Sequence, residues 1–168
     1  MKEGIITKCI LILSAIFYIA SLTQTAYCTT DCKNSLSLLF IGILGVLVEI
    51  GAIANFIISK INGHTCTLNN TIGASFTWLA NPLILFSFIV ITYSKKTAVL
   101  LSGLSTIIIL LFLVFDEVID DEAGHYRQIT EIKLGYWLWL LSSLTILIGS
   151  LTLLKMKIII EKYKKFKK

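Results

Sequence analysis

Five apolar stretches dominate this chain, at Ile5–Leu22, Leu36–Ile58, Ile72–Tyr93, Ala98–Phe115 and Leu134–Leu154. Each approaches the roughly 20 residues that a helix needs to cross about 30 Å of hydrocarbon. In such a solvent every backbone polar group must be satisfied within the protein, so helices are the expected elements. The solvent is therefore predicted to be a lipid bilayer and the fold an all-α helical bundle. Hydrophobic residues make up 56% of the 168, which agrees with that reading. The longest polar connection, Asp116–Lys133, is too short to form a soluble domain of its own. The expected organisation is a bundle over residues 1–154 and a basic cytoplasmic tail over 155–168.

The net charge of +5 does not point to nucleic acid. Seven of the fifteen basic residues lie in Lys155–Lys168, directly after the last apolar stretch, where a cluster of lysines fits the anionic inner face of a membrane. Lys2 and Lys8 precede an apolar run, as in a signal sequence. Cleavage after Ala26 or Thr25 would leave Gln24 or Thr23 at the −3 position, so a retained anchor is expected.

Charge also bears on topology. With all five stretches spanning and the N-terminus outside, ten basic residues lie inside and five outside. With the second stretch re-entrant or interfacial, both termini lie inside, and the count becomes eleven against four. The second arrangement is preferred: four transmembrane helices plus one re-entrant or interfacial helix. The doubtful stretch also holds Gly42, Gly45, Gly51, Glu49 and Asn55, which make it the most glycine-broken and the most polar. In both arrangements Lys95–Lys96 form a cytoplasmic turn and the acidic loop at Asp116–Glu122 faces out.

Several residues could carry chemistry. Glu49 is a carboxylate well inside an apolar stretch, where an unpaired charge costs at least about 2.5 kcal/mol. It is either an ion or proton site, a contact to another helix, or a group reaching water from an interfacial helix. Asn55 and Asn81 complete a candidate polar intramembrane set. Cys28 and Cys32 follow the first stretch as C-x3-C, and Cys66 lies in a later polar segment. On an oxidising side they would form one structural disulfide, with Cys28–Cys32 and Cys32–Cys66 as competing pairings. A thiol oxidoreductase of the quinone-linked four-helix kind would call for C-x2-C, which this pair is not. His64-x-Cys66 supplies two of the three or four ligands that zinc needs, so neither a metal nor another cofactor is expected.

Pro82 cannot donate a backbone hydrogen bond, and its ring clashes with the carbonyl of Trp78, so the third stretch should kink or split there. Asn81 would cap a helix beginning at Pro82. Tyr136, Trp137 and Trp139 open the last stretch and fit an aromatic belt at the head groups.

Trp78-Leu-Ala-Asn-Pro-Leu83 and Gly135-Tyr-Trp-Leu-Trp-Leu-Leu-Ser142, with Leu39-Phe-Ile-Gly-Ile-Leu-Gly45 before them, resemble motifs of a loose group of small, uncharacterised bacterial inner-membrane proteins. The resemblance implies a helical bundle of the bacterial plasma membrane and no particular activity. This chain departs from the group in its longer, more polar Glu49–Ser75 stretch. The expected role is a non-enzymatic accessory or interaction protein, such as an immunity-like or assembly partner that binds a membrane protein or a second copy of itself. The alternatives are a minimal transporter or channel subunit and, further off, the thiol enzyme.

Overall fold

A computed structural model of the chain describes residues 2–62, 73–119 and 126–166. Helices dominate. Four are long and apolar enough to cross a membrane: Gly4–Leu22, Ser35–Ile61, Lys95–Val114 and Leu134–Ile159. Ala74–Val90 is a shorter apolar helix.

The first helix, α1 (Lys2–Leu22), ends where Thr23 and Gln24 close turns onto the carbonyls of Ala20 and Ser21. The chain then forms β1 (Thr25–Cys28) and β2 (Cys32–Asn34), an antiparallel pair closed by a Cys28–Cys32 disulfide. Asn34 accepts a hydrogen bond from the Leu36 N–H (3.2 Å) and so caps α2 (Ser35–Ile61).

A six-residue 3₁₀ helix (Ala74–Leu79) runs directly into α3 (Ala80–Val90). Ser94 caps α4 (Lys95–Leu111), and the Lys95 ammonium donates to the Ile91 carbonyl (2.6 Å) at the end of α3. A 3₁₀ turn (Phe112–Val114) leads to β3 (Glu117–Ile119), which pairs with β4 (Tyr126–Gln128). Next, β5 (Glu131–Ile132) adds to the free edge of β1. The chain closes with α5 (Leu134–Phe166), so the basic tail is continuous with the last helix. The two small sheets modify the all-α expectation: both polar connections fold into strands at one end of the bundle.

Serine and threonine hold the bundle together. The adjacent residues Ser142 and Ser143 on α5 point to different neighbours. Ser14 of α1 and Ser142 bond reciprocally, each hydroxyl donating to the other's carbonyl (2.7 and 3.0 Å). Ser143 meets Ser105 (2.6 Å) and Thr106 (2.8 Å) of α4. These groups are buried. In lipid, where apolar side chains gain little by leaving their solvent, small residues and interhelical hydrogen bonds replace the hydrophobic effect as the source of association. Gly149 fits the same rule, since a β-carbon there would stand 2.5 Å from the Ile10 side chain.

The second segment corrects the expectation of a re-entrant stretch over residues 36–58, because α2 is one unbroken helix of 27 residues. Its glycines cost helix propensity, and two of them, Gly42 and Gly45, face a neighbour that needs the space. The path of α2 is fixed at two points. Ser35 packs against Gly135 and Thr25, at the sheet end of the bundle. Glu49, about 21 Å further along the helix axis, packs against Gly73 and lies near Tyr126 of β4, also at that end. So α2 lies across the sheet end and does not descend beside α1.

The third segment runs antiparallel to α4. Its 17 residues reach about 28 Å because the 3₁₀ half rises about 2.0 Å per residue, more than an α-helix does. The helix changes character at Leu79–Ala80, just before Pro82. Pro82 thus stands in the first turn of α3, where its missing N–H costs little.

Candidate functional site

The distinctive site is the contact between α2 and the 3₁₀ helix, with the cavity beside it. In a 3₁₀ helix residues three apart lie on one line, and in an α-helix positions i, i+3 and i+7 share a face. Those spacings match here. Trp78 covers Gly42, where a β-carbon would stand 2.1 Å from the indole Cδ1. Its indole N–H donates to the Leu39 carbonyl (2.8 Å). Ser75, one 3₁₀ turn earlier, covers Gly45, where a β-carbon would stand 2.8 Å from its hydroxyl. Glu49 completes the row, its Oε1 accepting the Ser75 backbone N–H (3.1 Å) at the start of the 3₁₀ helix. A carboxylate is favoured there because the first N–H groups of a helix lack intrahelical partners.

This overturns the reading in which Glu49 reaches water, since Glu49 is 1% exposed. Its second oxygen, Oε2, is buried and has no hydrogen-bond partner among the described residues. Gly73, at the foot of the 3₁₀ helix, has no side chain because a β-carbon would stand 2.5 Å from Glu49 Oε1.

The other polar candidates do not converge on Glu49. Asn81 is buried in α3 and accepts a hydrogen bond from the Tyr18 hydroxyl (3.1 Å). It is not the cap of a helix starting at Pro82, because α3 already begins at Ala80 and the 3₁₀ helix feeds into it. Asn55 lies exposed on α2 beyond the last contact with the 3₁₀ helix. Cys66 and His64 fall outside the described residues, as do Asp120–Glu122, and the Cys28–Cys32 bond excludes the Cys32–Cys66 pairing. Cys9 is a free, exposed thiol. Among the described residues no three His, Cys, Asp or Glu side chains come together.

The aromatic belt also needs correction. Tyr136 is 2% exposed, donates to the Ile109 carbonyl (3.0 Å), and stacks with Phe112, which in turn meets Tyr27. Trp139 is half-buried, and its indole nitrogen has no partner among the described residues. Trp137 alone of the three is exposed, at 46%. The rotation of α5 turns Tyr136 onto Ile109 and Phe112 and away from the exposed surface that Trp137 occupies.

Between α2, the 3₁₀ helix and the sheet end of the bundle lies a cavity of about 560 Å³. Leu38, Ile41, Leu44 and Val48 of α2 form one wall, and Tyr27 and Phe112 belong to the opposite one. A smaller polar recess, about 380 Å³, lies outward of Gly73 and is lined by Asp116, Glu117, Tyr126 and Gln128. Tyr126 titrates above the ordinary tyrosine value. Partial burial is the main cause, and the carboxylates of Glu49 and Glu117 add to it.

The sequence reading passed over the serine rows and the pairing of Gly42 with Trp78. Serines recurring inside apolar segments were a usable signal for the first. Nothing in the sequence indicated the second, because the two residues lie in different segments. No family model, no curated protein and no solved structure matches this chain.

Proposed function

We propose that the protein is a non-catalytic, multi-pass plasma-membrane protein that binds another membrane protein through α2. In this reading α1, the third segment, α4 and α5 cross the bilayer, and the sheet end with α2 is external. The N-terminus, Lys95–Lys96 and the basic tail are cytoplasmic. The eleven-to-four distribution of basic residues supports this orientation.

One observation carries the binding role. A helix that lies along a membrane surface needs a polar face toward water, and α2 has none. One side of it, Leu39, Gly42 and Glu49, meets the 3₁₀ helix. A second, with Leu38, Ile41 and Val48, overlooks the cavity. The third, with Phe40, Ile43, Leu47 and Ile50, is apolar and exposed. An apolar face held at the sheet end of the bundle fits a helix that a partner covers.

The transport alternative would centre on Glu49. That carboxylate, however, already accepts the Ser75 N–H and holds α2 on the 3₁₀ helix. Loss of solute flux from reconstituted vesicles on Glu49→Gln, with the fold intact, would favour transport over binding.

Photo-cross-linking in living cells tests the binding role. A photoreactive residue at Ile43 or Leu47 should give a discrete protein adduct, whereas one at Leu100, exposed on α4, should give lipid adducts. Lipid adducts alone at all three positions would refute the proposal. An adduct of twice the chain's mass would identify the partner as a second copy.

A further inference from the structure

We infer that the cavity beneath α2 takes one acyl chain of a membrane glycerophospholipid, with the lipid's head group remaining outside it. The inference rests on the external placement of α2 but not on the identity of any protein partner.

Volume, lining and access support it. At about 560 Å³ the cavity falls in the range of roughly 300–1,000 Å³ usual for ligand sites. Among the described residues, no lining side chain is an acid, a lysine, an arginine or a histidine. The polar groups along the wall are largely spent on the protein itself. Ser21 donates to the Tyr18 carbonyl (2.7 Å), Thr77 to the Ala74 carbonyl, and Asn81 accepts from Tyr18. A charged ligand would lose its hydration there and meet no opposite charge. Ser35 Oγ and Trp139 Nε1, both on lining residues, have no partner among the described residues and suit at most a neutral polar group such as an ester. An alkyl chain loses nothing.

Access follows from α2. Ile41, Leu44 and Val48 line the cavity and yet are 57%, 56% and 49% exposed, so the space is open along that flank of the helix. The flank continues into the apolar surface of the same helix at Leu47 and Ile50. The rest of the lining includes the sheet-side ends of α1, α4 and α5, at Ser21, Leu22, Phe112 and Tyr136, which are read above as crossing the bilayer, so outer-leaflet lipid lies next to the cavity. An apolar void left unfilled would forfeit the contacts of its whole lining. The opposite wall includes the wide aromatic faces of Tyr27, Phe112 and Trp139.

Tryptophan quenching by brominated lipid provides the test. Trp78 and Trp139 line the cavity and Trp137 does not, so the Trp137→Phe chain reports mainly from the site. The full chain in mild detergent would be titrated with phosphatidylcholine brominated on one acyl chain. Quenching should saturate near about one lipid per chain, as a single pocket requires. Ala26→Phe and Val48→Phe, which fill the cavity from opposite walls, should each raise half-saturation roughly tenfold. Val48 is half-exposed, so its substitution leaves the fold intact if Ala26→Phe does not. Quenching that rises linearly with lipid, or that saturates identically in Val48→Phe, would overturn the inference. Protein cross-links at Ile43 or Leu47 without saturable quenching would remove the lipid site and leave the binding role standing.

Discussion

Trp78 and Gly42 are in direct contact, and the indole occupies the space that a β-carbon on residue 42 would fill. The same indole donates its N–H to Leu39, so one side chain provides both the packing and the hydrogen bond that seat α2 on the 3₁₀ helix.

Gly42→Ala should therefore displace Trp78 and break the bond to Leu39. Overpacking of this kind costs about 1–3 kcal/mol. A lower thermal midpoint and a shift in tryptophan emission are expected in detergent. Gly51→Ala is the control, because a β-carbon there meets nothing within 4 Å. Equal effects from the two substitutions would show that Gly42 is not pinned by Trp78.

The reciprocal Ser14–Ser142 pair should show measurable coupling. The two hydroxyls also approach each other to 3.0 Å, so a double-mutant cycle with Ser14→Ala and Ser142→Ala should return about 0.6 kcal/mol, and at most about 1.7 kcal/mol, as interhelical hydrogen bonds do in membranes. Strictly additive losses would mean that the two hydroxyls do not recognise each other.

External thiol reagents should separate the two arrangements of α2. In a cysteine-free background, Ser37→Cys and Asn62→Cys mark the two ends of the helix. Both should react in intact cells if α2 lies across the external face. Reaction of Asn62→Cys only after lysis would show that α2 crosses the bilayer instead.

Cys28 and Cys32, with Cys66 replaced by Ser, should label from outside only after reduction, since they form one disulfide between β1 and β2. Free labelling without reductant would contradict the bond.

Tyr126 should ionise above the ordinary value of 10.0, because burial and the carboxylates of Glu49 and Glu117 disfavour the phenolate. Its folded value exceeds its unfolded one, so the native state holds the proton longer. Stability should decline as pH rises through the interval between those values. Tyr126→Phe should remove that part of the decline, and Glu117→Gln should shift the titration toward 10.0, read by NMR of labelled tyrosine. A titration unmoved by Glu117→Gln would place the two groups too far apart to interact.

The apolar segments were legible in the chain because each depends on local chemistry. The length of an apolar run and the helix propensity of its residues act within a few residues of sequence. The roles of individual polar residues were not legible. Glu49 could equally have met water, an ion or another helix, and the contact with Ser75 exists because the 3₁₀ pitch aligns Trp78 and Ser75 with Gly42 and Gly45. Tyr136 could have faced the head groups, but the rotation of α5 turns it onto Ile109. The course of α2 was likewise open, because an apolar run suits a spanning helix as well as one laid across the bundle. Tertiary packing decided these points, since the partners lie in segments far apart in sequence and pattern within one segment does not encode their meeting.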